Sequence, residues 1–359
     1  MRRLPAEWEP QRAVLLTWPH PDTDWAPRLA EVEEVYRQIA LRIARRQLLL
    51  VVCRDHDHRA HVRGQLASVG VASQAVMLPI APSNDTWARD YGPLTVVDDA
   101  GAARLVDFRF NGWGGKFPAA LDDRIGAALH DGDRATDGLD SPLGSSAMER
   151  SRLVLEGGAI DTDGDGTLLA VRRTVLDPAR NPGWSLAEIE AELAARLGMR
   201  RCLWLEHGQL DGDDTDGHID TLARFCSEDS ICHVTPHPAA SQAEQSSLAA
   251  MQVELQALRR ADGTPYRLLP LPAPRPIEGA DGARLAASYA NFLIINGAVL
   301  MPSYGDPADA AALDRLATAF VGRDIEPVDC RPLIRQGGSL HCITMQLPAA
   351  VGLSPQEAR

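Results

Sequence analysis

The chain has 359 residues, 45% of them hydrophobic, which is enough for a large core and argues against disorder as its main state. The formal net charge of −13 excludes the basic footprint that nucleic-acid binding needs. There is no apolar export segment near the N-terminus, no run of 18 apolar residues and no CxxC pair, so we expect a cytoplasmic protein without membrane spans or a disulfide framework.

Helical and strand signals alternate along the chain. The spacing of apolar residues predicts helices at 27–46, 185–198, 241–260 and 306–320, the second with capping signals at Ser185, Glu188 and Gly198. Apolar or alternating runs predict strands at 47–53, 104–110, 153–158, 166–172, 218–226, 230–236, 288–297, 298–305 and 336–346. The segment 131–150 is expected to be a mobile loop. Strand pairs separated by single helices indicate an α/β fold of several similar modules.

Two segments combine tryptophan with charges or glycines. In SNDTWARDYGP, Asp85, Trp87 and Asp90 cluster ahead of a Gly-Pro stop. Such a cluster can clamp a flat cation by charge pairing and cation–π contact, or it is a loop whose tryptophan fills the core. FNGWGGKF places Trp113 between glycines, which predicts a backbone bent around another group.

An acidic segment and a buried carboxylate form a second group. His218 and Asp220 are two residues apart, so on a strand they share one face, and a carboxylate beside a histidine raises its pKa. The surrounding aspartates fit either a cation site or an exposed acidic loop. Glu156, followed by two glycines, is a turn residue or a buried carboxylate that needs a partner such as His218.

The cysteine in QGGSLHCITMQ is the remaining candidate. On a strand Cys342 would by default be a small buried hydrophobe. Together with one histidine and several carboxylates, it fits attack by a thiolate on a carbon beside a delocalised cation. A zinc site is disfavoured because its candidate ligands are irregularly spaced across strands; they are Cys226, Cys232, His233 and His237.

Seven segments carry a resemblance to a known family. They are PAEWEPQRAVLLTWPH, NDTWARDYGP, FNGWGGKFPA, LEGGAIDTDGDGTLL, DDTDGHIDTLARF, SYANFLIING and QGGSLHCITMQ, in order from about residue 5 to 347. In this the chain resembles the agmatine deiminase and bacterial peptidyl-arginine deiminase family, of the guanidino-group-modifying superfamily. The resemblance implies a pentein α/β-propeller of five ββαβ-type modules, in a single domain over 1–359.

The resemblance also implies roles for individual residues. Cys342 is the expected nucleophile, His218 the general acid and base, and Asp90 and Asp220 the ligands of the guanidinium nitrogens. Glu156 is expected to support His218. Trp87 and Trp113 resemble residues that shape the substrate pocket of the family. Together with Asp85 and Asp214, which come from the acidic segments described above, they are expected to bind the substrate. No metal or organic cofactor is expected.

The substrate prediction concerns the end of the molecule away from the guanidinium. Agmatine carries an ammonium there, which fits the acidic Asp213, Asp214 and Asp216, and would place the enzyme in putrescine and polyamine synthesis. Free arginine or peptidyl arginine is the alternative, because Arg89 or Lys116 could bind a carboxylate and because the ending QGGSLHCITMQ is closer to the peptidyl-arginine branch.

A non-catalytic guanidine- or polyamine-binding protein is the rival from another class, and the complete set of catalytic residue types argues against it. The expected partner is therefore a small cationic guanidine, with no nucleic acid and no membrane. The oligomeric state is left open, with a homodimer as one alternative.

Overall fold

The computed structural model describes residues 2–132 and 141–353. The strands are β1 Arg2–Arg3, β2 Gln11–Thr17, β3 Leu48–Val52, β4 Val76–Met77, β5 Leu94–Asp98, β6 Ala103–Arg109, β7 Ala147–Val154, β8 Ile160–Thr162, β9 Thr167–Val171, β10 Arg201–Leu205, β11 Ala223–Ser227, β12 Ser230–Val234, β13 Arg267–Leu271, β14 Ile277–Glu278, β15 Arg284–Leu285, β16 Leu293–Ile295, β17 Ala298–Ser303, β18 Asp324–Asp329 and β19 Thr344–Pro348. The helices are α1 Leu29–Ala44, α2 His56–Ser68, α3 Ala88–Tyr91, α4 Gly112–Gly115, α5 Ile125–Asp131, α6 Arg172–Val175, α7 Leu186–Leu197, α8 Gln242–Ala257 and α9 Ala308–Ala319.

Within the described residues, five sheets of three or four strands share one pairing order. In each, a central strand pairs antiparallel on one side and parallel on the other. A helix links the central strand to its parallel neighbour, as parallel pairing requires. The central strands are β2, β6, β9, β12 and β17, and the linking helices are α1, α5, α7, α8 and α9. The fold is α/β with mixed sheets.

Local sequence signals account for the linking helices. α7 begins with a complete capping box, in which the Ser185 side chain accepts from the Glu188 backbone and the Glu188 carboxylate accepts from the Ser185 backbone. It ends at Gly198, whose φ of 72° is left-handed. The helices predicted at 27–46, 185–198, 241–260 and 306–320 are confirmed, with ends one to three residues inside the predicted bounds.

Strands inside the sheets are apolar where both of their faces are covered. All five residues of the central strand β9 are buried, and so are all but the first of β3, which lies between β2 and β4. Such continuous apolar runs are typical of strands between two layers. The sheets thereby form a rigid support for the polar turns at their ends.

Three strand predictions are wrong at residues of the site. The predicted strand 153–158 ends at Val154, so Glu156 lies beyond β7 and precedes the 3-10 turn Gly157–Ala159. The predicted strand 336–346 begins only at Thr344, and Cys342 lies in the preceding turn. The predicted strand 218–226 opens with a 3-10 turn, Ile219–Thr221, so His218 and Asp220 do not share a strand face. In the last two segments the alternation of apolar and polar residues comes from a buried turn. The predicted strand 288–297 is also too long, since β16 covers only Leu293–Ile295.

The two ends of the chain meet in one sheet. β19 pairs antiparallel with β2, Thr344 opposite Leu16, and β2 continues the sheet to β3 and β4. Of the loop predicted at 131–150, residues 133–140 lie outside the described residues. None of the helices described here is long and apolar enough to cross a bilayer.

Candidate active site

A cavity of about 420 Å³ opens where the polar turns of several sheets meet. Six residues singled out from the sequence line it: Asp85, Trp87, Asp90, Trp113, Asp214 and Cys342. Glu156, His218 and Asp220 are fully buried next to it. The structure therefore brings all nine predicted site residues into one region, although they come from turns spread over more than 250 positions of the chain.

Gly158 marks the point where the charged groups converge. A Cβ atom at this glycine would lie 2.6 Å from His218 Nδ1, 2.8 Å from Asp90 Oδ1 and 3.2 Å from Asp220 Oδ2. Any side chain here would collide with His218 and Asp90 and press on Asp220. The second glycine of the EGG segment is thus explained by close approach of the backbone to a charged cluster.

Cys342 lies at the floor of the cavity with 6% of its surface exposed. The Asn291 Nδ2 amide donates to its Sγ at 3.2 Å, and Asp220 Oδ2 lies 3.8 Å from the same sulfur. Burial, and then the charges of Asp220 and Asp90, raise the pKa of this thiol well above its usual value. In the free protein the thiol is therefore neutral, and a positive charge nearby would favour the thiolate.

His218 is held between carboxylates. Its Nδ1 lies 3.7 Å from Asp90 Oδ1 and its Nε2 lies 3.8 Å from Glu156 Oε2. Burial alone would lower the pKa of His218, but Asp90, Glu156 and Asp220 outweigh it and raise that pKa to about 9. The imidazole is protonated at neutral pH, so it can donate a proton.

Glu156 is supported by a cation that the sequence did not reveal. Arg180, itself fully buried, donates from Nε to both oxygens of Glu156 at 2.9 and 3.0 Å. Burial would raise the pKa of Glu156, but His218 and Arg180 together hold it below its usual value. Arg180 lies in an ordinary turn, TVLDPARNPG, and nothing in that segment predicts a catalytic neighbour.

Each of the two pocket tryptophans orients an aspartate. Trp113 Nε1 donates to Asp90 Oδ2 at 2.9 Å, and the Gly158 amide donates to Asp90 Oδ1 at 3.0 Å. Burial raises the pKa of Asp90 to about 6 even so. Trp87 Nε1 donates to Asp85 Oδ2 at 3.1 Å.

Asp85 also accepts from Trp25 Nε1 at 2.9 Å, so the geometry fits Asp85 as a support of the Trp87 ring. Close behind that ring, a Cβ at Gly338 would lie 2.2 Å from Trp87 Cζ3. The second glycine of the QGG segment is therefore explained by the close approach of its backbone to the Trp87 ring.

Three further site residues were missed from the sequence, and they are Asn291, His341 and Glu7. Asn291 holds the cysteine sulfur and lies in SYANFLIING, a segment quoted above for its resemblance but not examined residue by residue. His341 precedes the cysteine and bridges Asp220 and Glu7, at 2.8 and 2.7 Å. The available signal for His341 was its position next to Cys342. Glu7, like Asn291, lies in a segment quoted for its resemblance, PAEWEPQRAVLLTWPH, that was not examined residue by residue.

The mouth of the cavity carries charges of both signs. Asp24, Asp214 and Asp281 line it, and so do Arg28, Arg284 and Arg335. Of the three acidic residues predicted at the mouth, Asp214 lines the cavity, whereas Asp213 caps the local turn through the Thr215 and Gly217 amides. Asp216 pairs with Arg180 and Lys116.

The two cations considered as carboxylate ligands are occupied elsewhere. Lys116 Nζ donates to the Asp214 carbonyl at 2.6 Å as well as to Asp216. Arg89 is buried and donates to Gln346 Oε1 at 2.6 Å. Neither of them lines the cavity.

Comparison with known proteins agrees with this geometry. Residues 3–348 match the model of the Porphyromonas-type peptidyl-arginine deiminase family. The chain belongs to that family. Family membership makes it a hydrolase of C–N bonds in linear amidines. Among curated relatives of the family, the agmatine deiminase of Stutzerimonas stutzeri is 33% identical, and the alignment covers 96% of this chain and 95% of that protein.

Solved structures of the family share the fold. The structure of a C. jejuni agmatine deiminase variant with substrate bound is 31% identical, with a TM-score of 0.86 over 97% of this chain and 96% of that one. A Porphyromonas gingivalis protein provisionally named an arginine deiminase is 46% identical, with a TM-score of 0.88 over 98% and 99%. These relatives carry two different substrate names.

Proposed function

We propose that this enzyme hydrolyses agmatine to N-carbamoylputrescine and ammonia through a covalent intermediate on Cys342. One observation carries the proposal: a cysteine thiol and two buried carboxylates, Asp90 and Asp220, meet a protonated histidine at the floor of one cavity. A pair of carboxylates can bind a planar guanidinium by hydrogen bonds and charge. Binding alone does not require a thiol, so the cysteine indicates nucleophilic catalysis. A place in putrescine synthesis stays a prediction.

Substrate binding prepares the nucleophile. A guanidinium between Asp90 and Asp220 neutralises the charges that, after burial, raise the pKa of the Cys342 thiol. The thiol then loses its proton to water, and the thiolate faces the guanidinium carbon. The Asn291 amide, 3.2 Å from Sγ, orients the sulfur and stabilises its charge.

Two chemical steps follow. The Cys342 sulfur bonds to the guanidinium carbon, the His218 imidazolium gives its proton to a terminal nitrogen, and the bond from carbon to that nitrogen breaks to release ammonia. An S-alkylthiouronium remains on Cys342. The now neutral His218 takes a proton from water, and the resulting hydroxide bonds to the same carbon. The carbon–sulfur bond then breaks, the hydroxyl proton passes to the departing sulfur, and the ureido product leaves with Cys342 restored as a thiol. Glu156 and Arg180 hold His218 in position throughout.

The far end of the substrate decides between guanidines. Agmatine is favoured because Arg89 and Lys116 are both occupied by other partners and neither of them lines the cavity. Asp24, Asp214 and Asp281 are then available at the mouth for an ammonium group. The second candidate is a deiminase of free or peptidyl arginine, and it is favoured by Arg28, Arg284 and Arg335 at the same mouth.

Parallel assays decide between the two candidates. Ammonia and ureido product are measured with agmatine, L-arginine and a peptidyl-arginine ester at equal concentrations, with Cys342→Ala as the control. We expect agmatine to have the highest kcat/KM and Cys342→Ala to release no ammonia. A higher kcat/KM for either arginine substrate would replace the first candidate with the second. Undiminished ammonia release by Cys342→Ala would refute the mechanism itself.

We also propose that the five similar sheets are arranged as a pentein propeller within one domain, with the cavity at its axis. The shared pairing order supports this arrangement, as does the sheet that joins β19 to β2. A homodimer and a cytoplasmic location stay predictions from the sequence.

A further inference from the structure

A buried ion network lies behind the guanidinium site, and His341 connects the two. The His341 ring is 2% exposed, its Nδ1 lies 2.8 Å from Asp220 Oδ2, and its Nε2 lies 2.7 Å from Glu7 Oε2. Glu7 also accepts from Arg224 Nη2 at 2.7 Å and, through Oε1, from the Ile294 amide at 2.7 Å. The mechanism above does not use any of these contacts.

The contacts bear on which ring nitrogens carry protons. Burial would raise the pKa of Glu7, but Arg224 and then His341 outweigh it and hold that pKa below the usual range, so Nε2 faces a carboxylate. In the proposed function Asp220 binds the guanidinium as a carboxylate too, and its Oδ2 faces Nδ1. Carboxylates only accept hydrogen bonds, so a ring that bridges two of them donates from both nitrogens.

The contact between His341 and Asp220 also determines which oxygen of Asp220 is available to bind a ligand. Oδ2 is taken by His341, whereas Oδ1 is buried and has no hydrogen-bond partner among the described residues. A buried carboxylate oxygen without a donor is costly unless a ligand supplies one. A guanidinium N–H is a donor of the right charge for this oxygen.

We propose that His341 is a positioning residue: an imidazolium anchored by Glu7, it fixes the Asp220 carboxylate so that the free oxygen faces the substrate. The proposal rests on the proposed function, in which Asp220 binds the guanidinium. His341 touches neither the substrate nor the reacting atoms, and it acts only through Asp220.

Two substitutions of His341 test its contact with Asp220 and its contact with Glu7 separately. The His341→Asn amide reaches the place of Nδ1 and keeps a donor for Asp220, whereas the His341→Gln amide reaches the place of Nε2 and keeps a donor for Glu7. We expect His341→Gln to raise the KM for agmatine about 10- to 100-fold, as loss of a hydrogen bond to a charged group does, and His341→Asn to raise it several-fold less. His233→Gln, at a buried histidine of β12, is the matched control and should leave KM unchanged.

The pH dependence of kcat/KM distinguishes a positioning role of His341 from a purely structural one, because a purely structural role would leave it unchanged. Because His341 lowers the pKa of Asp220, its loss should shift the acid limb of kcat/KM to higher pH in His341→Gln. Equal KM values and equal acid limbs for the Gln and Asn variants, both folded by circular dichroism, would overturn the proposal.

If the His341 variants do not fold, a spectroscopic measurement on the wild-type protein still tests the proposal. With ¹⁵N-labelled histidine, both His341 nitrogens should show the chemical shifts of protonated ring nitrogens near pH 7. One unprotonated nitrogen at this ring would overturn the proposal. If the wild-type protein turns over none of the guanidines, the proposed function fails instead, and the ¹⁵N spectrum still decides whether the bridge is charged.

Discussion

Replacement of Trp113 by phenylalanine tests the electrostatics of the site most directly. The substitution keeps an aromatic ring in the cavity wall and removes the indole N–H that lies 2.9 Å from Asp90 Oδ2. This hydrogen bond lowers the pKa of Asp90 against burial, which raises it to about 6. Without the donor, the Asp90 pKa must rise further.

The magnitude follows from the strength of a hydrogen bond to a charged group. Such a bond contributes about 1.5–3 kcal/mol, or about one to two pKa units, which places Asp90 in Trp113→Phe at about 7–8. The ionised fraction at pH 7 then falls from about nine-tenths to between about a half and a tenth. Since a protonated Asp90 does not bind the guanidinium, kcat/KM at pH 7 should fall about two- to tenfold and recover near pH 8.5.

The assay is ammonia release from agmatine between pH 5 and 9.5 for the wild type, Trp113→Phe and Trp204→Phe. The last variant is the matched control, since its indole donates to Glu190 at 2.7 Å and it does not line the cavity. A uniform loss of kcat/KM with an unmoved acid limb would refute the reasoning, because it would show that Trp113 acts through its shape alone.

Three further predictions follow from the same contacts. Acid quenching of wild-type enzyme during turnover should leave a thiouronium adduct on Cys342 that mass spectrometry detects, and absence of any adduct would count against covalent catalysis. Because the pKa of His218 is about 9 and its imidazolium is the proton donor, kcat should fall as the pH rises through about 9, and a profile flat to pH 10 would contradict that role. Arg180→Met leaves Glu156 buried without its cation and should destabilise the fold by about 3–5 kcal/mol in urea unfolding, whereas Arg180→Lys should recover part of the loss.

The sequence predicted best the features that depend on near neighbours in the chain. The capping box of α7 lies within four residues, and the buried run of β3 has no competing interpretation. The resemblance to the family also selected Cys342, His218 and Asp90, and the structure brings these three residues together, whereas their catalytic roles stay predictions.

The conformation of the turns in the site could not be predicted from the local sequence. The residues around Cys342 alternate as in a strand, and contacts with distant groups convert them to a turn, among them Asn291 at the sulfur. His218 and Asp220 were expected on one strand face and instead reach the site from a 3-10 turn. Arg180 and Glu7 are ordinary charged residues in sequence, and only the fold buries them against the site.

The sheet that joins β19 to β2 has a consequence for the order in which the site assembles. The antiparallel pairing of Thr344 with Leu16 joins residues that are 328 positions apart in the chain, and such distant pairing forms slowly. Cys342 lies two residues before β19. We therefore expect the nucleophile to join the carboxylates late in folding, after the helices and the local strand pairs have formed.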